Sequence, residues 1–124
     1  VTISTTTGEA TVVGPLGVDF GNSGLTWDES SANFLAINAK DNSLYRVDPS
    51  TGAATLLVAL SMPFTTVGLE LDPVSGVLFA TTGANLLIID ITTGVTTVVG
   101  PIYQDTTVDD LGATYADTEV PCLQ

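Results

Sequence analysis

The sequence predicts an all-β protein built from a repeated antiparallel unit of four short strands. A Thr-Gly pair ends at Gly8, Gly52 and Gly94, so its copies are 44 and 42 residues apart. Between the copies, runs rich in Val, Ile, Leu, Thr and aromatic residues alternate with turn residues, and no amphipathic helix pattern is present. Four antiparallel strands on a period of about 40 to 50 residues are typical of a β-propeller blade.

Four elements recur in a fixed order within each period. An alternating apolar strand follows each Thr-Gly pair, with the sequences EATVVGPL, AATLLVAL and VTTVVGPI. A strand that starts the next unit begins at Gly24, Gly68 and Gly112. Two more strands complete each full unit, and they carry the sequences NFLAINAKDN and SLYRVDPSTG in one unit and GVLFATTGAN and NLLIIDITTG in the other.

Turn residues separate these strands at matching positions. The segments DPSTG (48–52) and DPVSG (72–76) combine Pro, which fixes φ, with Asp, which caps the turn, and Gly, which supplies positive φ. Asp48 and Asp90 precede equivalent turns, and we expect both carboxylates to cap them. The segments KDNS (40–43) and TGAN (82–85) are predicted hairpin turns.

The phase of the repeat predicts one domain with two complete blades and a split third blade. Residues 1–22 hold the third and fourth strands of the split blade, at Val1–Ser4 and Ala10–Val13. The complete blades occupy 23–66 and 67–108, with strands over about Gly24–Val58 and Gly68–Val99. Residues 109–124 hold the first strand of the split blade, Leu111–Ala116, and a tail.

The split blade predicts assembly. Closed propellers usually have about four to eight blades, so three blades leave sheet faces uncovered. Soluble proteins protect strand edges with Lys and other charged residues or with Pro. Lys40 is the one lysine in this chain. We therefore expect Leu111–Ala116 to pair with the N-terminal strands. The predicted interface comprises Val1, Thr2, Ile3, Ser4, Leu111, Ala113, Tyr115 and Cys122.

Three arrangements satisfy this expectation. Pairing with the next copy gives a head-to-tail contact by strand addition, which makes a filament when it does not close on itself. Pairing within one chain leaves blade faces to be buried between subunits, as in a six-bladed ring of two copies. The third arrangement is that the chain is a fragment of a longer propeller.

Charge excludes several classes of partner. The chain has 14 acidic residues against two basic ones and a formal net charge of -12. Nucleic acids and anionic membranes bind through Lys and Arg, so neither is an expected partner. No apolar run reaches the roughly 20 residues that cross a bilayer as a helix. Cations, basic partners and other copies of the chain are compatible with this charge.

The residues give little support for catalysis. The sequence has no His, its one Cys, Cys122, lies in the tail, and its Ser and Thr residues occupy strand and turn positions of the repeat, so catalysis by a nucleophile and a base has no support. Glu70 is the best single carboxylate for glycoside hydrolysis, which needs a second one about 5 to 10 Å away. We interpret Glu70 as a solvated or hydrogen-bonded strand residue, and we predict that the protein is not an enzyme.

One acidic segment is a candidate calcium site. Asp105, Asp109 and Asp110 lie within YQDTTVDDLG, and calcium binds six to eight oxygen ligands. The spacing differs from the EF-hand loop, and a solvated acidic loop is the alternative interpretation. No other cofactor is predicted.

Large apolar residues recur at one position of the first strand. Trp27 and Tyr115 match each other, and Leu71 is the third member, so we expect this position to lie in the core between blades. The loops between blades carry Phe20, Met62 and Phe64, which are expected to pack between blades. If these loop aromatics are exposed instead, they are candidates for binding a glycan or a protein.

The combined pattern GLxxDPxSGxLxA…NxLxxIDxxTGxxTxVG resembles secreted bacterial β-propeller repeats of the YVTN and NHL-like groups. In those repeats LYxVDPxTGAxTxVG recurs from blade to blade, and the resemblance covers nearly the whole chain. It implies a propeller fold and an extracellular or cell-surface location. Enzymes, binding modules and structural units all use this fold, so the resemblance does not choose among them.

These observations together predict an acidic, secreted, non-enzymatic structural protein. Its expected activity is self-assembly head to tail into a filament or fibril, by completion of the split blade between copies. The alternative is a module that binds a glycan or a protein.

Overall fold

The computed structural model describes residues 1–102 and 111–112, and every regular element in this part is a β-strand. This confirms the all-β class. Within the described residues there is no helix that is able to cross a lipid bilayer. The strands are β1 (Thr2–Ile3), β2 (Ala10–Thr11), β3 (Ser23–Asp28), β4 (Asn33–Asn38), β5 (Ser43–Val47), β6 (Ala54–Ala59), β7 (Gly68–Leu71), β8 (Leu78–Thr82), β9 (Asn85–Ile89) and β10 (Thr96–Pro101).

The strands form three antiparallel sheets in which consecutive strands are neighbours. Strands β1 and β2 form the N-terminal hairpin, β3 to β6 form sheet 1, and β7 to β10 form sheet 2. Sheets 1 and 2 confirm the two predicted four-stranded antiparallel units. The N-terminal strands are shorter than the predicted Val1–Ser4 and Ala10–Val13.

The predicted strand Leu111–Ala116 is not observed in its described portion. Leu111 and Gly112 have no strand conformation, and the other four residues lie outside the described residues. In the described residues β1 and β2 form a sheet of their own. The expected pairing of Leu111–Ala116 with the N-terminal strands of the same or another copy stays a prediction, because Ala113–Ala116 lie outside the described residues.

One turn conformation recurs four times, because the same local sequence recurs. In each copy a glycine N–H donates to the carbonyl four residues earlier at 2.8 Å. The glycines have φ between 73° and 80°, a region in which a side chain is strained. They are Gly8, Gly52, Gly76 and Gly94.

Aspartate side chains cap these turns as predicted. Oδ1 of Asp48 accepts the backbone N–H of Ser50 at 2.7 Å, and Oδ1 of Asp90 accepts that of Thr92 at 2.8 Å. The carboxylates therefore hold the turns that connect the third and fourth strands of each sheet.

The hydrophobic core lies between sheets 1 and 2. Alternate residues of each strand point to opposite faces, so one face of each sheet supplies this core. Burying one such side chain contributes about 1.5 to 3 kcal/mol. The buried side chains are Leu35, Ile37 and Leu44 from sheet 1, Leu69, Leu78, Ala80, Leu87 and Ile89 from sheet 2, and Leu60, Phe64 and Val67 from the connecting segment.

Candidate assembly interface

The contact between sheets 1 and 2 includes two close approaches at glycine. In β3, a Cβ atom added to Gly24 would lie 3.0 Å from Cβ of Leu69 and 3.0 Å from Cγ1 of Val67. In the turn before β10, a Cβ atom added to Gly94 would collide with the carbonyl oxygen of Ala59. Glycine at these two positions therefore lets the sheets approach closely at both ends of the contact.

The N-terminal segment contacts sheet 1 in the same way that the end of sheet 1 contacts sheet 2. A Cβ atom added to Gly52 would lie 2.6 Å from the carbonyl oxygen of Gly14, which repeats the approach at Gly94. The N–H of Ala54 donates to the carbonyl of Leu16 at 2.9 Å. The chain therefore contains one complete copy of this contact and part of a second.

The incomplete copy leaves part of the outer face of sheet 1 open at β3. Leu25 occupies the position in sheet 1 that Leu69 occupies in sheet 2. Leu25 is 56% exposed, whereas Leu69 is 2% exposed. The difference arises because β7 packs against β3, while no second sheet packs over the outer face of β3 in the described chain.

Trp27 lies beside Leu25 on the same face and is 39% exposed. Its ring contacts Phe34 edge to face at 5.0 Å between centroids. The prediction that Trp27 lies in a core between blades is therefore wrong for the single chain. Leu71, at the equivalent position, packs against the core, because sheet 1 covers it.

The N-terminal hairpin presents a small apolar face to solvent. Ile3 is paired with Ala10, and alternation places Val1 and Val12 on the same face as this pair. Val1, Ile3 and Val12 are all at least 65% exposed. Thr2 points to the other face, opposite Thr11.

Ser4 holds the turn of this hairpin. Its carbonyl accepts the N–H of Gly8, and its hydroxyl accepts the N–H of Thr7 at 3.2 Å. The four N-terminal residues of the predicted interface, Val1, Thr2, Ile3 and Ser4, therefore lie together in an exposed hairpin.

The outer face of sheet 2 is also partly apolar. Phe79, Ile88 and Thr97 are directly paired across three strands, so their side chains share one face. Ile88 is 38% exposed. In sheet 1 the equivalent row faces sheet 2, and its first member, Leu35, is 1% exposed. Glu70 is paired with Phe79 at the edge of this row, so sheet 2 carries a second open face that is partly apolar.

The C-terminal candidates are only partly described. Leu111 is half-buried and Gly112 is exposed. No described atom lies within 4 Å of a Cβ atom added to Gly112. Ala113, Tyr115 and Cys122 of the predicted interface lie outside the described residues.

The candidate calcium ligands Asp105, Asp109 and Asp110 also lie outside the described residues. In the part of the chain that is described, no group of three or more acidic or Cys side chains is arranged to hold a metal ion. Calcium binding by the three aspartates stays a prediction.

The predicted interface omitted Leu25, Trp27 and Ile88. The sequence does hold a signal for Leu25, because it aligns with Leu69 in the repeat. That alignment alone does not show which of the two leucines is covered by a neighbouring sheet.

Glu70, the candidate carboxylate for glycoside hydrolysis, accepts a hydrogen bond from Thr26. The distance from Oγ1 of Thr26 to Oε2 of Glu70 is 3.4 Å. The same Thr26 hydroxyl accepts the N–H of Leu71 at 3.0 Å. Glu70 thus belongs to the contact between β3 and β7, which matches its interpretation as a hydrogen-bonded strand residue.

A shallow pocket of about 210 Å³ lies beside Trp27. Asp28 and Asp72 line it, but both carboxylates already accept hydrogen bonds from their own turns. Oδ1 of Asp28 accepts the Ser30 hydroxyl at 2.6 Å, and Oδ2 of Asp72 accepts the Ser75 hydroxyl at 2.5 Å.

These turn hydrogen bonds stabilise the ionised carboxylates. Hydrogen bonds from Ser50 lower the pKa of Asp48 below its ordinary value of 3.8, and hydrogen bonds from Ser75 and Val74 do the same for Asp72. For Asp28, desolvation on burial raises the pKa, but hydrogen bonds from two serines outweigh it and the pKa is lowered.

We expect thermal stability to fall in acid for this reason. A carboxylate whose folded-state pKa is lowered stabilises the fold above its unfolded pKa, here 3.8, and loses that contribution as the pH falls through the folded value. The melting temperature should be nearly constant from about pH 6 to pH 5 and drop between about pH 4 and pH 2. Circular dichroism at each pH measures it.

Substitution of the capping carboxylates provides the control for this prediction. In the double variant Asp48→Ala and Asp72→Ala the melting temperature at neutral pH should be lower and its fall in acid smaller. An equal fall in acid for the variant and the unaltered chain would contradict the assignment.

Comparisons with known proteins do not assign the chain to a family. No family model, curated protein or solved structure matches it. The two open sheet faces and the exposed hairpin are then the features of the described residues from which a function can be inferred.

Proposed function

We propose that the protein is a non-enzymatic structural subunit that assembles head to tail through its two open sheet faces. The observation that carries the proposal is the contrast between equivalent leucines. Leu69 is 2% exposed where a second sheet packs on it, and Leu25 is 56% exposed where none does. A further copy would bury Leu25 in the way that sheet 1 buries Leu69.

The same comparison supports a propeller-type arrangement in which sheets 1 and 2 are blades. Both sheets have their four strands in sequence order, as propeller blades do. The first strands of the two sheets, β3 and β7, lie side by side. In this arrangement the N-terminal hairpin supplies the third and fourth strands of a blade that another copy completes.

The open faces belong to different surfaces, so their contact is head to tail. One is the outer face of sheet 1 with the hairpin, and the other is the outer face of sheet 2. A contact between two different surfaces makes a filament unless the rotation closes a ring. We propose the filament, and the resemblance to secreted propeller repeats favours a location outside the cell or on its surface.

The chemistry of the described residues supports a structural role over catalysis. The sequence has no His, and Glu70 is engaged by Thr26 at the contact between the sheets. Four of the described carboxylates, those of Asp28, Asp48, Asp72 and Asp90, cap turns. Their hydrogen bonds explain why a structural protein would carry them.

A binding module is the second candidate, and the pocket beside Trp27 favours it. An exposed indole next to acidic and hydroxyl side chains offers stacking and hydrogen bonding to a sugar ring. A strictly monomeric protein that binds a glycan, with loss of binding in Trp27→Ala, would favour this function over assembly.

Electron microscopy of the untagged protein in negative stain tests the proposal, with light scattering on the same sample. We expect uniform fibres whose number grows with protein concentration. Closed discs would overturn the filament and favour a ring. Monomers at every concentration tested would overturn self-assembly.

Assembly should depend on salt, because each copy carries a formal net charge of -12. The screening length falls from about 30 Å at 0.01 M salt to about 10 Å at 0.1 M, so repulsion between copies is stronger at low salt. We expect a higher critical concentration at low ionic strength, measured by sedimentation. Addition of EDTA at constant ionic strength tests separately whether calcium offsets the charge. A critical concentration that ignored ionic strength would contradict the electrostatic argument.

A further inference from the structure

Two kinds of glycine contact join successive repeats, the first observed twice and the second once. Each kind leaves one pair of repeat-equivalent residues without this contact in the described chain. The first is the approach of a strand end to the turn of the following sheet. Gly14 contacts Gly52, and the segment of Val58 and Ala59 contacts Gly94. Continued by one repeat, the series would bring the segment at Gly100 against Gly8.

Neither member of this third pair is in contact in the described chain. No described atom lies within 4 Å of a Cβ atom added to Gly8 or to Gly100. By contrast, a Cβ atom added to Gly52 would lie 2.6 Å from the carbonyl oxygen of Gly14. The open turn at Gly8 and the open strand end at Gly100 are therefore the repeat equivalents of Gly52 and Gly14, which do form this contact.

The second kind of contact lies between first strands. Gly24 packs on Leu69, with 3.0 Å from its added Cβ atom to Cβ of Leu69. Gly112 is the repeat equivalent of Gly24, and Leu25 is that of Leu69. The Cβ position of Gly112 has no described neighbour within 4 Å, and Leu25 is 56% exposed, so this pair is unmatched as well.

We infer that one copy places Gly100 against Gly8 of the next copy and Gly112 against Leu25 of that same copy. This register rests on the proposed assembly and specifies its joint. One pair joins the end of sheet 2 in one copy to the hairpin of another, and the other pair joins Gly112 of the first copy to sheet 1 of the second. Both pairs therefore join the same two copies in the same order. We expect the contact between two copies to have the same geometry as the contact between sheets 1 and 2 within one chain.

The same chain does not make these contacts. Gly8, Gly100 and Gly112 have no described neighbours at their Cβ positions, although all three are described. A second copy supplies both missing partners at once, because Gly100 and Gly112 of one copy can meet Gly8 and Leu25 of the other. This is the reason for choosing a second copy over another partner.

Gly8 and Gly76 provide a matched pair of variants for the test. Their φ angles are 74° and 73°, and each glycine N–H closes the same turn at 2.8 Å. Neither has a described neighbour within 4 Å, so alanine should strain both turns equally. Only Gly8 belongs to the inferred pairs, where a Cβ atom would collide with the carbonyl of Gly100 as one at Gly52 would with the carbonyl of Gly14.

We expect Gly8→Ala to raise the critical concentration for assembly roughly 10- to 100-fold, as overpacking of a tight contact does. Gly76→Ala should leave it unchanged, and Gly8→Ala should lower the melting temperature no more than Gly76→Ala does, because the hairpin lies outside the hydrophobic core. Assembly of both variants at the critical concentration of the unaltered chain would overturn the inferred register.

Photo-crosslinking provides a second test that changes no glycine. Copies that contain photo-leucine and heavy nitrogen are mixed with ordinary copies, assembled, irradiated and digested for mass spectrometry. The crosslink from Leu69 to the segment around Gly24 within one copy is the positive control. We expect a crosslink from Leu25 of one copy to the segment around Gly112 of another.

The outcomes separate the joint from the assembly itself. If the unaltered chain stays monomeric, the proposed function fails and the joint fails with it. If fibres form but Leu25 crosslinks elsewhere or not at all, while Leu69 gives the control product, the register alone is wrong. A Leu25 crosslink to Gly112 within one copy would show that the chain closes on itself, and it would overturn the inference that a second copy supplies the partner.

Discussion

Deleting Val1–Ser4 should abolish assembly and leave sheets 1 and 2 folded. The deletion removes β1 and with it the hairpin, whose apolar face is exposed in the single chain. The hydrophobic core contains no residue of the hairpin, so the melting temperature should change by only a few degrees. Losing a paired strand and two apolar side chains from a joint should weaken association by roughly 100-fold or more.

Sedimentation velocity and electron microscopy measure this loss, and circular dichroism checks the fold. A milder variant, Val1→Ser with Ile3→Ser, keeps the backbone of the strand and should reduce assembly as well. Val74→Ser is the control matched in exposure, because Val74 and Val1 are both 75% exposed and Val74 lies in the turn between β7 and β8 instead of the hairpin. Fibres of unchanged length from the deleted chain would contradict a role for the hairpin in the joint.

Truncating the two equivalent leucines should have opposite consequences. Leu69→Ala removes a side chain that is 2% exposed and packed between sheets, so we expect a loss of about 2 to 5 kcal/mol in the free energy of unfolding. Leu25→Ala removes a side chain that is 56% exposed, and its cost to the single chain should be within about 0.5 kcal/mol. Chemical denaturation of dilute, monomeric protein measures both values.

The order of the two effects should be reversed for assembly, where Leu25→Ala should be the more damaging variant. Burying a leucine side chain contributes about 1.5 to 3 kcal/mol, so Leu25→Ala should raise the critical concentration roughly tenfold or more. A Leu69→Ala variant that remains folded should keep its joint. If Leu25→Ala assembled as well as the unaltered chain, the outer face of β3 would not be a contact between copies.

Local sequence is sufficient to predict the strands and turns of this protein. Each DPSTG-like segment forms its turn from its own atoms, with Asp as the cap and Gly at positive φ. Strand alternation likewise depends on neighbouring residues only. These features repeat because the sequence repeats, and the predicted sheets over Gly24–Val58 and Gly68–Val99 are confirmed within a few residues at their ends.

The candidate site was predicted less completely, because exposure depends on what packs against a residue. Trp27 and Leu71 occupy one repeat position, yet Leu71 packs on the core and Trp27 is exposed. The predicted interface contains the N-terminal hairpin because of the phase of the repeat, and uncovered sheet faces were expected as well. The prediction did not name Leu25, Trp27 or Ile88, since the sequence does not state which face of a sheet already has a partner.

The sequence by itself determined the all-β class, the repeated four-stranded unit and the capped turns, since each follows from short-range hydrogen bonding and side-chain alternation. Only the tertiary structure decided which equivalent residues are buried and which are open. Gly24 meets Leu69 because β3 and β7 are brought side by side, and Leu25 remains exposed because no sheet in the described chain is placed over β3. Leu25 and Leu69 occupy the same position of the repeat, and packing between segments distant in sequence is the reason that one is exposed and the other buried.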